Sequence, residues 1–253
     1  MTYCVAMKLD EGLVCLSDTR TNAGIDNINR YKKTFTFQGP DRAIVLMTAG
    51  NLSVTQGVIE RLSAAIGAAE APSVPDASEP IETVYTVPTL YRLAEIVGQE
   101  MRGLIDRHGP AMEKDGVSAG ASIIIAGEIG AEGPRLFLVY SAGNFIECET
   151  DTPYFQIGEA KYGKPIIERT IGHDTPLAEA VRTALVSMDL TVRSNLSVGL
   201  PLDLTVIRTG TRQIALERRI TEDDGTYGAI SEGWADALRQ GLASLPGVDD
   251  WLR

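Results

Sequence analysis

The first eighteen residues, MTYCVAMKLDEGLVCLSD, hold two short apolar runs separated by Asp10-Glu11-Gly12. Apolar runs of this length split by turn residues predict a β-hairpin, with strands over 2–9 and 12–19. Val5, Met7 and Leu9 fall on one face of the first strand and Cys4 and Ala6 on the other, so both faces are largely apolar. A sheet of that kind is expected to be covered on both sides. Residue 2 is then pinned, because a terminus paired into a strand does not fray.

Pinning matters because of what residue 2 is. Initiator methionine is normally trimmed before a small residue, so the mature chain is expected to begin at Thr2, with no propeptide to cleave. An N-terminal threonine carries a nucleophile, its hydroxyl, and a general base, its own α-amine. With a pKa of roughly 7.7–8.0, that amine keeps a useful neutral fraction near pH 7. Taken alone, Thr2 is equally an accident of translation start. Asp18 closes the second strand, where an ionised carboxylate is costly unless paired. Its leading partner is Lys33 in KKTFTF. A lysine beside the threonine hydroxyl lowers the hydroxyl's pKa, and Asp18 would keep that lysine charged and oriented. Read singly, Asp18 is also a strand-ending turn residue and Lys33 a solvated strand-edge charge.

Together, SDTRTNAG (17–24) followed by KKTF (32–35) resembles the β-subunit signature of the proteasome family, whose active site joins an N-terminal Thr, the Asp of D-T-R and the Lys of K-K-x-F. The resemblance continues in Thr48-Ala49-Gly50, in IGEAKYGKPIIER, in SMDLTVRSN and in PLDLTVI, and so reaches about Arg219. With its G-E-A-K-Y-G-K stretch, the chain most resembles the bacterial Anbu, or ancestral β-subunit, branch. It implies a four-layer α-β-β-α sandwich, the N-terminal-nucleophile hydrolase fold, in a single domain over 1–253. It also implies threonine peptidase chemistry: Thr2 as nucleophile and base, Asp18 and Lys33 as electrostatic partners, and the Gly50 N–H as oxyanion donor. Glycine at 50 lets a substrate backbone approach and opens a helix whose N-terminal N–H groups favour negative charge. An ordinary strand-to-helix turn would use the same residue. Thr21 and Asn22 fall where family members align an extended peptide.

Two departures from the pattern bear on turnover. Gly158-Glu159-Ala160 stands where proteasome subunits have Gly-Ser-Gly, so Glu159 either replaces the serine near the threonine amine or changes the network around it. In SMDLTVRSN, the family's Asp and Ser correspond to Thr191 and Ser194, with Asp189 displaced by two places. Two functions therefore stand at this stage: a threonine hydrolase of peptide or amide bonds, and a proteasome-like scaffold with little turnover. Three extra residues between Lys33 and Gly50 point to a longer hairpin.

The remaining features narrow the setting. A length of 253 residues and 44% hydrophobic content suit one domain with a large core. A net charge of −11 argues against a nucleic-acid partner. Cys4, Cys15 and Cys148, odd in number and apolar in setting, read as buried thiols in a reducing compartment, and a cytoplasmic location is expected with no metal or cofactor. No apolar span fits a signal peptide or a membrane crossing. Strands are expected at 32–38, 42–49, 120–127, 135–140, 144–149, 202–208 and 213–220. Helices are expected at 51–70, 90–105, 160–169, 176–190 and 227–244, and the Pro-rich stretch 71–80 reads as a surface loop. Gly116-Val117-Ser118-Ala119-Gly120 matches the G-x-S-x-G elbow, but a polar loop precedes it and a strand follows, the reverse of what an elbow needs. His108, after a helix, and His173, in a loop, read as solvated. Trp251 and Leu252 at a polar terminus, with the apolar stripe of 90–105, point to a homo-oligomer, a ring or an open spiral. Nothing in the sequence identifies a regulatory ATPase.

Overall fold

The computed structural model describes residues 2–22, 28–70 and 80–252, with the side chains of Asn22 and Ile28 excepted. Met1 and most of the Pro-rich stretch at 71–80 lie outside those residues. The opening hairpin is formed by β1 (Tyr3–Leu9) and β2 (Gly12–Asp18), turning through Asp10 and Glu11, with Leu9 opposite Gly12. A small two-stranded ribbon, β3 (Arg20–Asn22) and β4 (Ile28–Arg30), follows it. Next come β5 (Thr34–Gly39) and β6 (Arg42–Gly50), joined by the two-residue turn Pro40-Asp41, and then helices α1 (Leu52–Glu70) and α2 (Leu90–Lys114). The second half runs β7 (Ala121–Ile129), β8 (Pro134–Val139), β9 (Phe145–Glu147), β10 (Tyr154–Gly158), α3 (Lys164–Thr170), α4 (Leu177–Ser194), β11 (Leu202–Arg208), β12 (Ile214–Ile220) and α5 (Gly225–Ala243).

These strands make two five-stranded antiparallel sheets, ordered β10-β1-β2-β11-β12 and β5-β6-β7-β8-β9. The side-chain alternation of each strand sorts the core into three apolar layers. Tyr3, Val5, Met7 and Leu9 pack outward against Ile167 of α3 and Ala184, Leu185 and Met188 of α4. Cys4, Ala6, Leu13 and Cys15 face inward, against Ala43, Val45 and Met47 of β6 and Ile124 and Ala126 of β7. The outer face of the second sheet, including Ile44, Leu46, Ile123 and Ile125, packs on Val58, Leu93, Val97 and Met101 of α1 and α2. The result is the α-β-β-α sandwich expected from the sequence. The inner face is rich in alanine and cysteine, small side chains that let two sheets meet with few voids.

The β3–β4 ribbon matches no expected strand, and three further features differ from the sequence reading. α2 runs to Lys114 through Pro110, so His108 sits on an exposed helical turn and not after the helix. Thr89 caps its start, the hydroxyl accepting from Arg92 N at 3.0 Å. β10 was not anticipated, because YFQIG is too short to show a periodicity of its own; it is specified by pairing with β1, with Tyr3 opposite Gly158. The third is His173, which is half-buried: Nδ1 lies 2.7 Å from Asp10 Oδ1, and its carbonyl accepts from Asp10 N. No described helix is long and apolar enough to cross a membrane.

Candidate active site

The open end of the β1–β2 hairpin, the start of β5 and the end of β6 converge on one cavity of about 620 Å³. Its lining includes Thr2, Thr21, Lys33, Thr48, Gly50, Leu52, Val117 and Gly158. Thr2 is two residues before Cys4 and so shares its face, the one turned toward the second sheet. Its carbonyl accepts from Glu159 N at 2.7 Å, which continues the β1–β10 ladder by one pair and fixes the backbone that carries the hydroxyl. Thr2 is 8% exposed.

Asp18, the last residue of β2, is fully buried. Its Oδ1 accepts from Lys33 Nζ at 2.7 Å and from Tyr3 N at 3.0 Å, and its Oδ2 accepts from Gly199 N at 3.2 Å. Burial pushes the Asp18 carboxyl above the ordinary carboxylate range, and the lysine charge and the N–H donors oppose that shift. An ion pair enclosed in this way is favoured only when its remaining hydrogen-bonding capacity is met, and here both carboxylate oxygens are used. Lys33, 3% exposed, also donates to Arg20 O at 2.5 Å. Two of its three ammonium donors are thus taken. Among the described residues no acceptor takes the third, and Lys33 lines the cavity with Thr2. The lysine backbone is held as firmly, its carbonyl accepting from Thr48 N at 2.9 Å.

Gly50 ends β6 at φ +99°, and a Cβ there would lie 2.4 Å from Gly120 O. Only glycine fits, and its position on the exposed rim of the cavity brings backbone to within reach of whatever Thr2 faces. Asn51 next to it begins α1, its Oδ1 accepting from Ser53 N and Val54 N. Gly158 is equally constrained, at φ +81° with a Cβ position 1.9 Å from Thr2 O.

The supporting residues divide. Thr21 of β3 lines the cavity, while the side chain of Asn22 lies outside the described residues. Glu159 is opposite Thr2, but its carboxylate accepts from Asn195 Nδ2 at 2.8 Å and lies 3.4 Å from Lys161 Nζ. Ser194 is exposed at the last turn of α4 and is not in the cavity, because the chain leaves the helix there and Asn195 is the residue that turns back to Glu159. Asp189 and Thr191 also lie outside the described lining of the cavity. Asp189 accepts from Ser231 Oγ of α5 at 2.8 Å and from Arg193 Nε, and Thr191 donates to Ser187 O within its helix. Gly199, Gly158 and Asn195 were missed as site residues. Asn195 appears in the sequence only as a sequon, and the two glycines carry no side-chain signal.

Three buried titratable groups sit on β1 and β2. The Tyr3 phenol shares a hydrogen bond with Ser187 Oγ at 2.6 Å and accepts from Gln156 Nε2 at 2.5 Å; burial pushes its pKa up to about 12. Cys4 and Cys15 are wholly enclosed, and burial pushes both thiols up, Cys15 to about 12. All three cysteines are free. Ser118 of the G-x-S-x-G match lies between α2 and β7, helix then strand, so it forms no elbow; its Oγ accepts from Gly120 N. Among the described residues no group of three His, Cys, Asp or Glu side chains could hold a metal ion.

No family model matches the chain, and no curated protein sequence does. Solved structures do. Anbu (ancestral β-subunit) from Yersinia bercovieri is 42% identical, with 97% of this chain and 98% of that one covered at a TM-score of 0.86. Anbu from Hyphomicrobium sp. strain MC1 is 41% identical over 97% and 98%, at 0.83. A structure described as the helical assembly of the Anbu complex from Pseudomonas aeruginosa is 41% identical over 97% of each chain, at 0.86.

Proposed function

Since the chain belongs to the Anbu (ancestral β-subunit) family of proteasome-like proteins, we propose that it is a threonine-type peptidase whose nucleophile is the N-terminal Thr2 of the mature chain. The observation that carries the reading is the enclosure of Lys33 between Asp18 and Arg20 O with its remaining donor available to the cavity Thr2 lines. Removal of Met1 frees the α-amine. Thr2 Oγ then attacks the scissile carbonyl as its proton passes to that amine, and the Lys33 charge stabilises the developing alkoxide. The oxyanion is held by the Gly50 N–H. The tetrahedral intermediate collapses as the leaving amine takes the proton, which leaves an ester on Thr2 Oγ. Water, deprotonated by the same α-amine, hydrolyses the ester and regenerates Thr2. No cofactor enters these steps.

Self-assembly is part of the proposal. Leu242, Trp251 and Leu252 are between 73% and 84% exposed along one C-terminal stretch, and the relative from Pseudomonas aeruginosa is described as a helical assembly. Apolar side chains exposed in series mark contact surfaces. Sedimentation at micromolar concentration tests this part, and a single species at the 27.2 kDa of one chain would overturn it. Free thiols in all three positions support a reducing, cytoplasmic setting.

Peptide hydrolysis by wild type, Thr2→Ala, Lys33→Ala and the double variant tests the chemistry. Each single change is expected to abolish turnover and the double to cost no more than either, because both act on one proton-transfer step. Wild-type turnover by Thr2→Ala would rule the assignment out. A well-folded, assembled wild type without turnover would favour the scaffold reading, for which Glu159 in place of the family serine is the motive.

A further inference from the structure

The loop 116–120, rejected as a nucleophile elbow, forms one wall of the Thr2 cavity through Val117. It is held at both ends. Gly116 N and Val117 N donate to carbonyls of the last turn of α2, at 3.0 and 2.9 Å. Asn51 Nδ2 donates to Ser118 O at 2.9 Å and Asn51 N to Gly120 O at 2.8 Å. Asn51 is the residue after Gly50 and precedes Leu52, so the wall is fastened to the strand end that supplies the oxyanion donor. Val117 is 49% exposed and faces the same space as Leu52. A preformed apolar wall beside a reacting carbonyl selects the side chain that carbonyl bears.

Charge sharpens this. Among the described residues lining the cavity Lys33 has the sole ionisable side chain, and it is committed to Asp18 at 2.7 Å and nearly sealed from solvent. The Thr2 α-amine works there as the neutral base of the proposed chemistry, and the remaining polar groups of the described lining are threonine hydroxyls and backbone. A charged side chain entering would lose its hydration without gaining an ion pair. We propose that the cleft takes an uncharged, apolar side chain of an extended peptide, seated against Leu52 and Val117 beside Gly50; this rests on the peptidase reading above.

Three peptide vinyl sulfones that differ only in the residue next to the warhead, Leu, Glu or Arg, test the proposal on the full chain. Thr2 Oγ–H adds across the vinyl double bond, so each adduct carries the whole mass of its probe and intact-mass spectrometry gives the rate. The Leu probe is expected to react about tenfold or more faster than the other two. In Val117→Glu, the Leu probe should slow and the Arg probe should gain on it, with melting unchanged because the side chain is half exposed. Equal rates in wild type, or a faster Glu or Arg probe, overturn the side-chain inference and leave Thr2 as nucleophile. No adduct from any probe, or adducts that persist in Thr2→Ala, overturn the nucleophile reading and the inference with it.

Discussion

At the turn end of the β1–β2 hairpin Asp10 meets His173 at 2.7 Å with 66% of its side chain in solvent; at the open end Asp18 meets Lys33 at the same 2.7 Å with none of it exposed. The two contacts are alike in distance and opposite in worth. Water stands ready to replace either partner at the turn, so the exposed contact adds little. No water can replace Lys33 against Asp18, so losing one partner leaves a buried charge unanswered. The turn end holds structure together: Glu11 Oε2 also accepts from Leu177 N and so caps α4. The open end holds charge together where the cavity meets it. One hairpin thus ties helix to sheet at one tip and borders the candidate site at the other, and burial distinguishes the two contacts.

The contrast is most exposed to failure at Asp18. Asp18→Ala is expected to cost about 3–5 kcal/mol in urea-induced unfolding. Asp18→Asn should cost less, since an amide oxygen still accepts from Tyr3 N or Gly199 N, yet be as inactive. A wild-type unfolding midpoint for Asp18→Ala would erase the difference between the two ends. Next in size is Gly158→Ala, which forces a Cβ into Thr2 O from a left-handed backbone. A loss of about 1–3 kcal/mol is expected, together with loss of turnover, as β10 is pushed from Thr2. Unchanged turnover there would show that the Thr2–Glu159 pairing does not position the nucleophile.

Smaller effects refine the comparison. Tyr3→Phe removes two hydrogen bonds one residue from Thr2 and strands Ser187 Oγ with Gly163 O as its remaining partner; about 1–2 kcal/mol is expected from thermal unfolding. Asp10→Ala should cost under about 1 kcal/mol and leave turnover untouched. If its cost matched that of Asp18→Ala, exposure would not be what separates the two ends.

The sequence made the hairpin, both sheets and the pairing of Asp18 with Lys33 legible because each has a local signal: alternating apolar residues, turn residues, and a carboxylate placed where it must be paired. The sequence was silent where specification comes from a distant partner. β10 exists because β1 offers it an edge, and the cap on α4 comes from Glu11, which precedes Leu177 by more than half the chain. α2 outruns its expected end because Gly109 is buried and Met112 packs on the core beyond Ile105, and Pro110 near its last turns does not stop it. The same reason explains the site. Thr2, Asp18 and Lys33 carry side-chain chemistry that can be read locally and Gly50 was marked by the family resemblance, whereas the N–H of Gly199 and the amide of Asn195 enter only through where the fold delivers them. Ser194 falls outside the described cavity lining because α4 ends on it with its side chain exposed.

Everything in this account depends on Thr2 being a free N-terminal residue beside a charged Lys33. Intact-mass spectrometry of the purified chain, before and after treatment with the Leu vinyl sulfone, measures that directly. The expected result is the mass of residues 2–253, then the gain of a single probe that is lost in Thr2→Ala. A chain that retains Met1, with its Thr2 nitrogen locked in a peptide bond and no adduct formed, would contradict it.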